Sequence, residues 1–166
     1  MFKRFRRGRD SQPADVYIGL RRQVLETDPA RAGLSATPEL PRVWGLLMDT
    51  TLDRGGFSFV ALADGTTSLY FSTGGGMIGG GEHPQVAAAN RVALRVVEAH
   101  LDEFPPATDD TLPPPGGVVL RALTYDGRRS VQAPEDDLGE GRHPLSDVFH
   151  AAHDVSTELR MLQEAG

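Results

Sequence analysis

The residues best placed to do chemistry lie in one glycine-rich segment, Ser72-Thr73-Gly74-Gly75-Gly76-Met77-Ile78-Gly79-Gly80-Gly81-Glu82-His83. Consecutive glycine N–H groups can converge on an anion. Ser72, Thr73, Glu82 and His83 add two hydroxyls, a carboxylate and an imidazole. Gly74, Gly76 and Gly79 formally spell G-x-G-x-x-G. A dinucleotide site needs that motif inside a parallel β-α-β unit, with the helix N-terminus on the pyrophosphate. Here the motif follows an antiparallel run, and the next helix begins later, at Pro84, which has no N–H to donate. No Lys-Ser or Lys-Thr follows the glycines, which excludes a P-loop. The stretch from Gly55 to Asn90 holds no lysine or arginine, so a bound phosphate would have no local cation. Met77 and Ile78 form an apolar island between the glycines. Exposed, they would plug a partner's groove; buried, they would pin the segment to the core.

Other chemistry-bearing residues are dispersed. The pattern G-x-G-x-H-P occurs twice, at Gly79, Gly81, His83, Pro84 and at Gly139, Gly141, His143, Pro144. Each copy precedes an amphipathic helix. The expected role of each histidine is helix entry, its ring nitrogen accepting from a free N–H of the first turn. Asp147, His150 and Asp154 share one solvated face of the last helix, with His153 beside them. H-E-x-x-H and related zinc motifs are absent. His100 reads as a boundary residue of the second helix. Ser68, Ser72, Thr73 and Ser130 have no G-x-S-x-G context. Asp109-Asp110 and Glu135-Asp136-Asp137 sit in Pro- or Gly-flanked segments and read as solvated charge. Absence of cysteine excludes a thiol nucleophile, a disulfide framework and a thiolate zinc site. The sequence therefore assigns no catalytic residue, no metal ligand and no cofactor.

The elements that must position these groups follow from periodicity. Val16, Tyr17, Leu20 and Val24 recur at helical spacing and predict a helix over 14–26, stopped by Asp28-Pro29. Strands are expected over 43–50, 57–63 and 66–72, with Asp64-Gly65 as a two-residue hairpin turn. A helix follows over 84–103, its stripe Val86, Ala89, Ala93, Val97, Leu101 and Phe104. Strands over 118–125 and 128–133 meet at Asp126-Gly127, and an acidic loop leads to a last helix over 144–162. The expected fold is α+β: a mostly antiparallel five-stranded sheet with three helices, in the order α-βββ-α-ββ-α. Two Asp-Gly hairpins, each followed by G-x-G-x-H-P and a helix, point to an internal ββα duplication. The element order is loosely similar to profilin-type and roadblock-type folds. That likeness rests on order alone and carries no residue across.

The chain has 166 residues, enough for one proper core. It carries 17 basic and 23 acidic residues, for a net charge of −6. Lys3, Arg4, Arg6, Arg7 and Arg9 crowd the start, so the remainder stands at −11. Residues 1–12 are expected to be a flexible basic tail and 13–166 a single α+β domain. An acidic body lacks the basic face that nucleic acid requires. The tail, with Phe2 and Phe5 among its cations, could make a weak contact with an anionic membrane. No apolar run approaches the roughly 20 residues of a membrane span, and no apolar core of a secretory signal follows the basic start. Lys3 is the only lysine, which suggests a GC-rich bacterial genome. The expected compartment is the cytoplasm.

These observations lead to a non-catalytic, protein-binding or regulatory domain. Its partner contacts would be Ser72, Thr73, Gly74, Gly75, Gly76, Met77, Ile78, Glu82 and His83. The alternative is a small-ligand-binding protein or enzyme with its site at the same loop, 72–83. Convergence of Ser72, Thr73, Glu82 and His83 in a concave pocket would favour that alternative.

Overall fold

The structure, a computed structural model, describes residues 13–78 and 82–165. The basic tail 1–12 and Gly79, Gly80 and Gly81 lie outside the described residues.

The organising element is β1 (Val43–Thr51), whose side chains are buried on both faces. A strand apolar on both sides must be central, and β1 is flanked by β2 (Gly56–Leu62) and β5 (Gly117–Thr124). Beyond them lie β3 (Thr67–Phe71), β4 (Gly76–Ile78) and β6 (Gly127–Pro134). The six strands run in the order β4-β3-β2-β1-β5-β6, each antiparallel to its neighbours.

Alternation along β1 splits the core. Leu46 and Met48, with Phe59, Val118 and Leu120, face α2 (Pro84–Ala99) and α4 (Ser146–Ala165). Those helices bring Val86, Leu94 and Val97, and Val148, Ala152 and Val155, and pack on each other. Trp44 and Leu47 point the other way, with Val60, Tyr70 and Leu123, under Tyr17 and Val24 of α1 (Asp15–Leu25). The result is three layers: one short helix, the sheet, and a helix pair. Among the described residues no helix is long and apolar enough to cross a membrane.

The α+β antiparallel architecture is as expected, with corrections. Among the described residues the sheet has six strands, not five, because part of the glycine-rich segment pairs as β4. Gly74 N–H donates to the Phe71 carbonyl (2.9 Å) and Phe71 N–H to the Gly75 carbonyl (2.8 Å), closing a tight hairpin. Gly74 takes a left-handed φ of +110°, which favours glycine. A Cβ on Gly76 would stand 2.6 Å from the Leu69 carbonyl oxygen, so a side chain there would push β4 off β3.

Among the described residues the α-helices number four, not three. Glu135, Asp136 and Asp137 are not loop charges but the first turn of α3 (Glu135–Gly139), where carboxylates suit the helix dipole. Fully buried Leu138 anchors that helix. The second long helix ends at Ala99 and continues as a 3₁₀ turn, Leu101–Glu103. The last begins at Ser146, two residues later than expected.

The Asp64-Gly65 turn also differs. Among the described residues only glycines have positive φ, so Asp64 is not in the conformation of a two-residue Asp-Gly turn. Gly65 N–H donates to the Leu62 carbonyl (3.0 Å) and Leu62 N–H to the Thr66 carbonyl (2.9 Å). This is a three-residue loop with glycine as the bulge, and the turn after Phe71 repeats its bonding.

Candidate functional site

The expected site residues do not come together. Ser72 is a brace: its Oγ accepts from Gly56 N–H (2.8 Å), and its carbonyl accepts from Ala14 N–H (2.8 Å). It thereby ties the β1–β2 turn and the start of α1 to the end of β3. Thr73, Gly74 and Gly75 form the exposed hairpin turn. Met77 packs half-buried against the helix-pair core, while Ile78 is 67% exposed. The apolar island is thus divided, one residue pinned and one presented. Ile78 pairs with Ser68, four residues along β3 from Ser72, or about 13 Å of strand. Glu82 and His83 lie beyond it, exposed at the start of α2. Among the described residues no hydrogen bond joins Ser72, Thr73, Glu82 or His83 to one another.

The twin histidines behave differently. His143 Nδ1 accepts from Leu145 N–H (3.0 Å), as helix-entry chemistry requires. The His83 side chain makes no such bond; only its carbonyl accepts, from Ala87 N–H (2.9 Å). His100 Nδ1–H donates to the Val96 carbonyl (2.9 Å). His150 Nε2 lies 3.1 Å from the Gly139 carbonyl, which it bonds as donor. His153 stands edge-on to Phe149, with ring centroids 4.4 Å apart. Burial lowers the His153 pKa, helped by Arg160 and His150 and opposed by Asp154. Among the described residues no three His, Asp or Glu side chains gather as metal ligands.

The most concentrated chemistry is elsewhere, on the α1 face of the sheet. Asp49 of β1 is fully buried. Its carboxylate accepts from Arg21 Nε (3.0 Å) and Nη2 (2.8 Å), from Ser58 Oγ (2.5 Å) and from Arg121 Nη1. Tyr17 OH and Ser58 Oγ are 2.6 Å apart. Ser58 stands directly opposite Asp49 on β2, and Arg121 on β5 is its diagonal neighbour. Burial raises the Tyr17 pKa against the opposing bond from Ser58, so the phenol stays neutral and donates. Burial works against the charged form of Arg21, but Asp49 outweighs it, and the pKa rises. Two buried guanidiniums therefore share one buried carboxylate, and the exposed Asp109 carboxylate stands 3.9 Å from Arg121 Nη2.

Residues 108–112, before β5, cross over this cluster. Arg21 Nη2 donates to the Asp110 carbonyl (2.8 Å) and Arg121 Nη2 to the Thr111 carbonyl (2.6 Å). Arg128 holds the Asp110 carboxylate and donates to the Thr108 carbonyl (2.9 Å). A cavity of about 420 Å³ lies on one flank, lined by Tyr17, the β1–β2 turn, Leu112 and Pro115. Another of about 480 Å³ lies between α1 and Asp110, Thr111 and Leu112. Ser58 is fully buried between Tyr17 and Asp49, so it is no accessible nucleophile. Asp49 fills the Arg21 fork, so the guanidinium edge not hydrogen-bonded to a carboxylate is Nε–Nη2 of Arg121, which makes one bond, from Nη2 to the Thr111 carbonyl.

Sequence reasoning missed this cluster. Its signal was one charge inside each of two apolar strands, Asp49 in VWGLLMDT and Arg121 in VVLRAL. No protein-family model matches this chain, and comparison with curated proteins and with solved structures gives no match.

Proposed function

We propose that this is a non-catalytic protein-binding domain that takes an extended partner segment on the sheet edge at β4. The observation that carries the reading is Ile78, the most exposed large hydrophobic side chain among the described residues. The two sheet edges contrast. The β6 edge is covered by 105–107, with Ser130 N–H donating to the Pro105 carbonyl (3.0 Å) and Ala107 N–H to the Arg128 carbonyl (3.1 Å). Among the described residues no strand lies outside β4. An open edge offers main-chain groups to an extended peptide, and side-chain pockets give specificity. Counting along the antiparallel ladder from the bonded Phe71–Gly75 pair, Met77 faces β3 and Ile78 turns its N–H and carbonyl outward.

The partner segment brings an apolar residue over Ile78, and the acidic body favours a basic one. Separation of Ser72 and Thr73, at the hairpin turn, from Glu82 and His83, at the start of α2, supports binding over catalysis. Lys3, Arg4, Arg6, Arg7 and Arg9 lie outside the described residues and take no part in this reading.

Displayed linear peptides selected on the full chain, and compared on Ile78→Lys, test it. A selected peptide should slow amide exchange over 76–78 and bind Ile78→Lys at least tenfold more weakly, with the unfolding midpoint unchanged. Equal binding to Ile78→Lys, or protection elsewhere, would refute the edge.

A further inference from the structure

We infer that Arg121, with Arg21 beside it, forms a binding site for a monocarboxylate, and that residues 108–112 are the strap that covers it. The first ground is charge. Asp49 already accepts from four donors, and the neutral Tyr17 and Ser58 add none to the balance. The nearest further carboxylate, Asp109, stands 3.9 Å from Arg121 Nη2 and is 59% exposed. Asp109 thus gives Arg121 only an exposed, solvent-screened counter-charge, which a desolvated carboxylate on the guanidinium edge would replace at shorter range.

The second ground is donor geometry. Nε and Nη2 share one edge of a guanidinium and present two parallel N–H groups, the fork that matches a carboxylate. The other nitrogen of Arg121, Nη1, is engaged by Asp49. On the free edge, Nη2 meets the Thr111 carbonyl, while Nε has no protein partner among the described residues, although Arg121 is only 1% exposed. One neutral oxygen therefore stands where a carboxylate would supply two charged ones. The Thr111 carbonyl makes one bond to this edge, whereas a carboxylate would make two parallel bonds and add ion pairing, so a carboxylate can compete with the carbonyl.

The third ground is the strap itself. It is held by its carbonyls, while the side chains of Thr108, Asp109, Asp110 and Thr111 are exposed. Leu112 lines both cavities, so the strap has open space on either flank to move into. The α1-side cavity adds Ile18 and Leu25 to Leu112, beside Arg21 and Arg22. Arg121 does not line this cavity while the strap covers it; with the strap displaced, the lining suits a short apolar body whose anionic head reaches Arg121. The single planar two-donor edge of Arg121, and the Asp109 and Asp110 carboxylates on the strap, which repel a more highly charged anion, favour a monocarboxylate over phosphate.

Isothermal titration of the full chain with hexanoate, and separately with inorganic phosphate, tests the site. Hexanoate should saturate, phosphate should not, and amide exchange of 109–112 should accelerate on binding. Arg128→Ala, which loosens the strap without touching the fork, should bind hexanoate several-fold more tightly. The ¹⁵N-edited signal of Arg121 Nε should shift on titration. Failure of hexanoate to saturate either the wild-type chain or Arg128→Ala, both folded by circular dichroism, would overturn the proposal. So would tighter binding of phosphate, or binding that leaves 109–112 exchange unchanged.

Discussion

Asp49→Asn isolates what the buried charge cluster contributes to stability. Asp49 has no exposed surface and accepts from Arg21 Nε and Nη2, Ser58 and Arg121. Asparagine keeps the shape but exchanges one acceptor for a donor that faces guanidinium N–H groups. Two buried cations then stand without a counter-charge. Removing one partner of a buried ion pair costs about 3–5 kcal/mol. Here the Asp110 and Thr111 carbonyls still engage the arginines, which limits the loss to about 4 kcal/mol on the same scale. Natural domains have roughly 5–15 kcal/mol in total. At this size each kcal/mol moves Tm by about 2–4 °C, so Tm should fall by about 8–16 °C. Urea unfolding followed by far-UV circular dichroism gives the free energy directly. A control separates lost pairing from lost volume: Asp49→Leu with Arg21→Met and Arg121→Leu replaces the whole cluster by apolar groups. Such replacements are often neutral or stabilising, so the triple variant should be more stable than Asp49→Asn alone. A loss under about 1 kcal/mol for Asp49→Asn, or a triple variant less stable than the single, would refute this account of the cluster.

Other perturbations read other parts of the structure. Burial pushes the Glu98 pKa up, but the Arg42 amide, the Arg42 guanidinium and the Val43 amide together hold it below the ordinary value. The folded state thus favours the carboxylate. Its stabilisation is complete above the unfolded pKa of about 4.3 and is lost as pH falls through the lower folded value. Glu98→Gln should cost about 1–3 kcal/mol at neutral pH and flatten that acid limb, measured as urea midpoint against pH. His153 is held neutral mainly by burial, so its contribution is complete above about pH 6.5 and declines as pH falls through its lowered folded pKa. His153→Gln should therefore lose less stability than the wild-type chain between pH 7.5 and 5; an equal loss would count against the assignment. Gly76→Ala puts a Cβ 2.6 Å from the Leu69 carbonyl oxygen and should cost about 1–3 kcal/mol, as overpacking does. It should also release the Met77 amide to fast exchange, whereas unchanged protection there would mean that β4 tolerates a side chain.

The residues that stood out in the sequence and the residues that concentrate charge in the structure are different sets, for a physical reason. Helical and strand spacing act locally, so α1, β1 and the paired strands around Asp64-Gly65 and Asp126-Gly127 were legible within a residue or two. Strand β4 was not, because three residues between glycines are too short to show alternation, and Ile78 alone carries β-propensity there. Helix α3 was hidden because three acids in a row resemble a solvated loop until Leu138 is seen to be buried. The glycine-rich segment was conspicuous by composition, and composition reports conformation: left-handed φ at Gly74 and close approach at Gly76. Electrostatic partnership needs topology instead. Asp49 and Arg121 are 72 residues apart and meet only because β5 returns to the centre of the sheet, beside β1. Had β5 paired with the β3–β4 edge instead, Asp49 would lie three strands away, and both charges would be buried without each other. A lone charge inside an apolar strand is therefore a statement about its neighbours: burial requires a complement from an adjacent strand or from the helix packed on that face, and Asp49 has both, Arg121 and Arg21. In this chain Asp49 and Arg121 satisfy each other only in the order observed.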